Sequence, residues 1–192
     1  MPSLTSPGRR MLLLGGAAVL LSTGAVALWP RAAALPDPTN PQTTLTQVED
    51  AVARILPVPE ITAAELASLM RSDRRVVLLD VREPAEFAQS RIPGAIRIPP
   101  GLPAAELLAR HGTAMQGAQV VFYCAVGWRF GLMLEGLRQA ATQAGADSLQ
   151  NLRGGIFRWH ADGQTLDTAP GAQGVHHFDA SWGQLLRRTL AN

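Results

Sequence analysis

No lysine occurs anywhere in the 192 residues; every positive side chain is an arginine. We attribute this to compositional bias and attach no mechanism to it. Cysteine is nearly as scarce, with Cys124 standing alone. A lone cysteine excludes an internal disulfide and a resolving partner, so over-oxidation of that thiol has no internal rescue. Internal repeats and low-complexity tracts are also missing, which leaves one ordinary domain with a core of about 110–125 residues. A true basic excess is absent as well. The formal net charge is +2, but three of the 17 arginines (Arg9, Arg10 and Arg31) fall within residues 1–34, which hold no acid. The remaining 14 arginines face 15 acids, a balance of −1, so no nucleic-acid partner is expected.

What is present gathers around Cys124. It ends the apolar run Val120-Val121-Phe122-Tyr123, which is short, β-branched and aromatic and reads as a buried strand. A small loop follows, Ala125-Val126-Gly127-Trp128-Arg129. Phe130, Met133, Leu134, Leu137, Ala141 and Ala144 then recur at helical spacing, and Gly145 suits the helix C-terminus. A thiol at such a strand tip faces unpaired N–H groups and the positive end of a helix, conditions that lower a thiol pKa. Lone cysteines also serve as small buried hydrophobes at strand ends. The local pattern fits either reading.

A second buried strand, Val76-Val77-Leu78-Leu79-Asp80, runs into Val81-Arg82-Glu83-Pro84, with Pro84 at a helix start. Leu79-Asp80-Val81-Arg82-Glu83, Glu86-Phe87, Ile92-Pro93-Gly94-Ala95, the strand ending in Cys124, and Leu152-Arg153-Gly154-Gly155-Ile156 with Trp159 follow in order. Together, over about Ile61 to Thr168, they resemble the rhodanese family of sulfurtransferases. The resemblance implies one α/β domain with a central parallel sheet flanked by helices on both faces. It also implies a catalytic cysteine, Cys124, that accepts a sulfane sulfur from thiosulfate or a persulfide. That sulfur would pass on to a thiol, a cyanide-like acceptor or a protein acceptor, without a cofactor.

Within that frame, N–H groups of Ala125, Val126, Gly127, Trp128 and Arg129 are expected to form an anion-binding nest, with Gly127 relaxing the curl. Arg129 would hold the persulfide or an anionic donor. Cysteine phosphatases place His before the cysteine and Arg six residues after it; here Tyr123 precedes, and Arg129 stands at the fifth place with Phe130 at the sixth. Phosphatase activity is therefore not expected. Asp80, Arg82 and Glu86 match supporting positions beneath the loop, with Asp80 accepting N–H bonds and Arg82 pairing with Glu86. Two departures stand out. Ser90-Arg91 replaces the family's usual Gly-His, with an effect expected only on a surface turn. Phe130 replaces a small hydroxyl residue and, with Trp128, makes the pocket mouth more apolar. An alternative reading, a non-catalytic rhodanese-fold binding or regulatory module in the periplasm, draws on those two aromatics and on the C-terminal tail.

Residues 1–34 are read as an export signal or membrane anchor. Arg9-Arg10 precede an uncharged stretch from Met11 to Pro30, a twin-arginine-like pattern with small-residue cleavage sites at Ala25-Val26-Ala27 and Ala32-Ala33-Ala34. Either reading places the domain in the periplasm, with membrane contact only through this segment if it is uncleaved. Residues 35–60 are read as a Pro-rich tether leading into a short amphipathic helix bearing Leu45, Val48, Val52 and Ile55. Thr62 and Glu65 have capping-box spacing, and a third short helix is expected over 103–110. Strands are expected near 76–80, 95–98, 120–124 and 148–152, alternating with helices as in a parallel sheet. His111 and His160 read as loop residues. In the extension 169–192, Phe178, Trp182, Leu185, Leu186 and Leu190 suggest a packed helix. His176-His177 supply at most two ligands, with only Asp179 near, so no metal site is expected.

Overall fold

Val76–Asp80 (β2) and Gln119–Tyr123 (β5), the two apolar runs, lie side by side in parallel register, Val76 opposite Gln119 and Asp80 opposite Tyr123. They form the centre of a five-stranded parallel sheet in a computed structural model that describes residues 35–129 and 133–191. Glu60–Ile61 (β1) and Ser148–Leu152 (β6) extend the sheet on one side and Ile96–Arg97 (β4) on the other, in the order β1-β6-β5-β2-β4. Ser90–Arg91 (β3) and Asp167–Thr168 (β7) form a separate antiparallel pair.

Alternation along the strands divides the core between the two faces. Val77, Leu79, Val120 and Phe122 pack with Leu107 and Met115 of Ala104–Met115 (α4) and Leu137 and Ala140 of Leu134–Ala144 (α5). Leu78, Val121 and Tyr123 face the opposite layer. That layer comprises Leu45–Ile55 (α1), Ala63–Met70 (α2), Gly155–Ala161 (α6) and Ala180–Leu190 (α7). The expected helix-covered parallel sheet is therefore observed. Pro84–Gln89 (α3) opens on Pro84 as anticipated.

Local signals locate most helices. Thr44 and Thr62 each cap a helix through a reciprocal capping box with Gln47 and Glu65. Thr62→Ala should lower stability by about 1 kcal/mol, read as a lower urea midpoint at unchanged slope. An unchanged midpoint would mean that packing alone holds the first turn of α2. At the other end of α5, Gly145 takes the left-handed geometry its position suggested.

Several expectations need revision. The helical spacing that starts at Phe130 is realised as helix over Leu134–Ala144; Phe130 itself lies outside the described residues, as do residues 1–34, read above as an export signal or membrane anchor. Among the described residues no helix is long and apolar enough to cross a membrane. His111 and His160 sit in helices α4 and α6, whose internal Gly112 and initial glycine Gly155 obscured the helical signal. Residues 35–44 do not run as an extended tether. They turn at Asp37 to Asn40, and the Arg188 guanidinium of α7 donates to the Pro38 and Asn40 carbonyls at 2.8 and 3.1 Å. Helix α1 is likewise part of the core: Leu45, Val48 and Val52 are buried, and the nearly buried Glu49 accepts from Arg158 Nε at 2.7 Å.

Candidate active site

Cys124 is the first residue beyond the carboxyl end of β5, and it is 1% exposed. Its carbonyl accepts from the Ile156 N–H at 2.9 Å and the Ala125 carbonyl from the Phe157 N–H at 3.0 Å, which pins the loop to the start of α6. That approach explains the paired glycines at 154–155. At φ +54°, a Cβ on Gly155 would lie 2.3 Å from the Cys124 carbonyl oxygen. The loop then curls through Gly127 at φ +85°, where a Cβ would meet the buried Asn151 side chain at 3.0 Å and the Leu152 carbonyl at 3.2 Å. The curl brings the Arg129 backbone N–H to 3.4 Å from Cys124 Sγ. Of the expected nest, this is the N–H that reaches the sulfur among the described residues.

Beneath the loop the charges pair differently from the sequence expectation. Arg82 does not pair with the Glu86 carboxylate. Its Nε and Nη2 grip the Asp80 carboxylate, at 2.6 Å for the closest contact, with both side chains fully buried. Nη2 also donates to the Ser90 carbonyl at 2.7 Å, and Nη1 to the Glu86 carbonyl at 3.4 Å. Ser90 is accordingly buried in β3, not part of a surface turn. Burial works against the charge on Arg82, but Asp80 outweighs it and holds the guanidinium above its ordinary pKa. Burial, reinforced by Asp80, pushes the neighbouring Tyr123 hydroxyl far above its ordinary value, and its oxygen accepts from Ile92 N–H at 3.2 Å.

Glu86 turns instead toward the loop. It takes Arg129 in a two-pronged pair, Nη1 to Oε2 at 2.6 Å and Nη2 to Oε1 at 2.7 Å. Such forked, charge-assisted bonds fix a planar guanidinium in orientation as well as position. Desolvation lowers the Arg129 pKa, yet the hydrogen bonds it donates to Glu86 and the nearby Cys124 sulfur raise it above the ordinary value overall. Arg129 is thus next to Cys124 as anticipated, but its charge is already met by a carboxylate.

The remaining walls come from residues the sequence had not tied to the site. A cavity of about 220 Å³ opens over Cys124, bounded on the loop side by Ala125, Val126, Trp128 and Arg129. The opposite side is Phe178 and Trp182, from the C-terminal extension. Phe178 stacks on the Arg129 guanidinium, 4.8 Å from ring centre to Cζ. Asp179 caps α7, accepting from the Trp182 N–H at 3.0 Å, and so sets where the indole sits. The adjacent histidines brace this wall. His176 Nδ1 accepts from the Phe178 N–H at 3.1 Å, and His177 Nδ1 bonds the Asp179 carbonyl at 2.8 Å. Asn151 also went unnoticed in the sequence; a polar residue between Leu149 and Leu152 in a buried strand was its only signal.

A parallel α/β domain whose only cysteine stands at the carboxyl edge of a central strand, inside a tight loop, defines a class with its reactive centre where such sheets place their ligands. The sequence model of the rhodanese-like domain matches residues 62–162, and the chain belongs to that family. A sulfurtransferase of Allochromatium vinosum is 34% identical over 106 residues, 55% of this chain and 92% of the relative. A probable adenylyltransferase/sulfurtransferase of Mycobacterium tuberculosis, MoeZ, is 33% identical over 114 residues, 58% of this chain but 27% of MoeZ. Among solved structures, the rhodanese-like domain of an Anabaena protein is 22% identical with a TM-score of 0.47, covering 63% of this chain and 88% of that one.

Proposed function

We propose that the protein is a sulfurtransferase in which Cys124 takes a sulfane sulfur from thiosulfate or a persulfide and passes it to a thiophilic acceptor. The observation that carries this reading is the position of Cys124 Sγ, at the sheet's carboxyl edge, beneath an open cavity and within 3.4 Å of the Arg129 N–H. In the first half-reaction the Cys124 sulfur attacks the donor's outer sulfur. The donor's S–S bond breaks, and its remainder leaves with the bonding pair. In the second, an acceptor nucleophile attacks the outer sulfur of the persulfide and Cys124 departs as thiolate, so ping-pong kinetics are expected. The Arg129 N–H favours the anionic sulfur in both steps, and the Glu86-held guanidinium keeps that residue in place. The Arg9-Arg10 segment and the apolar stretch after it support placing the reaction in the periplasm.

Intact-mass measurement after donor treatment should show one added sulfur in the wild type and none in Cys124→Ser. A wild-type protein that gains no such mass from any sulfane donor would overturn the reading. A cellular phenotype that survives Cys124→Ser yet is lost on deleting 170–192 would favour a binding module instead.

A further inference from the structure

The cavity over Cys124 is poorly suited to a small dianion. The one cation among its described lining residues, Arg129, is already paired through both terminal nitrogens with Glu86, so the two side chains together present no net charge. A second negative group lies close by in the Cys124 sulfur once it ionises. The other described lining residues beside Cys124 are apolar: Ala125, Val126 and the three aromatics Trp128, Phe178 and Trp182. At about 220 Å³ the space is smaller than the roughly 300–1,000 Å³ that encloses a drug-sized ligand, but it accepts an organic group of one ring.

The aromatic wall is also positioned at a cost. Phe178 is the one non-glycine residue among those described with positive φ, at 65°, a conformation unfavourable for a bulky side chain. His176 on one side and the Asp179 cap on the other hold it there. The result keeps a ring that is 48% exposed stacked over Arg129. Backbone strain held in place by neighbours and facing a reactive group is a mark of function.

We propose, building on the persulfide reading above, that the donor is a sulfane sulfur carried on an apolar organic body, selected by Trp128, Phe178 and Trp182. With a thiosulfonate the balanced step is simple. The Cys124 thiol sulfur bonds the outer sulfur of R–SO2–S⁻, the sulfonyl S–S bond breaks, and R–SO2⁻ leaves with the bonding pair. The thiol proton is retained on the new Cys124 hydropersulfide. An organic hydropersulfide reacts in the same way and releases its thiol. Phe178 and Trp182 act here as specificity-determining residues, and Glu86 contributes by neutralising the charge that would otherwise draw in a small inorganic anion.

Benzenethiosulfonate and thiosulfate make a matched pair of probes, since a phenyl group in one replaces a charged oxygen in the other. Single-turnover loading of Cys124 by each, read by intact mass, gives a ratio of kcat/KM values. Dividing by the ratio the two donors show with free glutathione removes intrinsic reactivity. The wild type is expected to favour benzenethiosulfonate by roughly 10- to 100-fold after that correction, the range that burying one aromatic ring supplies. Phe178→Gly, which suits the positive φ, should cut the ratio several-fold, and Phe178→Gly with Trp182→Leu at least tenfold. A merely structural role for the tail would slow both donors together and leave the ratio fixed. A corrected wild-type ratio near one, or a ratio unmoved in both variants, overturns the specificity proposal while leaving the persulfide chemistry intact. Failure of both donors to load Cys124 overturns the two together.

Discussion

Replacing Arg82 by Met is expected to destabilise the domain by about 3–5 kcal/mol, the loss seen when one member of a buried ion pair is removed. The reason is what stays behind. Asp80 is fully buried at the carboxyl end of β2 and takes three contacts from Arg82 Nε and Nη2. Met fills much of the volume but its side chain donates nothing, so Asp80 keeps from this residue only the main-chain N–H at 3.0 Å and the Ser90 carbonyl loses its guanidinium donor. The Glu86 carbonyl contact is lost as well, which loosens the end of α3 and, through Glu86, the hold on Arg129. Urea unfolding of Arg82→Met, Asp80→Leu and the double variant separates the terms. The double variant should recover a substantial part of the loss, because no buried charge then lacks its partner. A single-variant cost below about 1 kcal/mol, the level of an exposed pair, would mean that water reaches Asp80.

Gly155→Ala should be similarly damaging, for a steric reason. The added methyl would sit 2.3 Å from the Cys124 carbonyl oxygen and 2.6 Å from that of Ala125, both main-chain atoms at the base of the reactive loop. Neither can yield without breaking the hydrogen bonds from Ile156 and Phe157. The expected cost is about 4 kcal/mol or more, in the exceptional range for one substitution. Gly163→Ala supplies the control: φ is +70° there, but nothing lies within 4 Å of the added methyl. Only backbone strain remains, about 1–2 kcal/mol. Comparable melting temperatures for the two variants would show that the loop lifts from α6 freely. Persulfide loading in Gly155→Ala should fall even below the melting transition, because Cys124 moves with its carbonyl.

The two central strands were legible because burial on both faces demands apolar runs: β2 coincides with the expected segment and β5 is displaced by one residue, while the more polar β6 also falls where it was expected. Capped helix starts were equally plain, since Thr62 and Glu65 meet within one turn. Cys124 and its loop could be picked out because strand, cysteine, glycine and arginine are contiguous. What could not be read was which charge met which. Arg82 and Glu86 stand at helical spacing, yet Arg82 points back to Asp80 and Glu86 crosses to a loop on another strand. Partner choice of that kind is decided by tertiary geometry, to which local spacing is blind. Phe178 and Trp182 escaped for the same reason. Their ring positions depend on how α7 docks against α1 and α6, and the hydrophobic pattern of the tail shows only that it packs somewhere.

The family match ends at residue 162, whereas Phe178 and Trp182 lie beyond it. The loop around Cys124 and the aromatic wall that faces it are therefore carried on different stretches of chain. A change at Phe178 or Trp182 reshapes the cavity while leaving the Glu86–Arg129 pair and the glycines at 127 and 155 as they are in sequence.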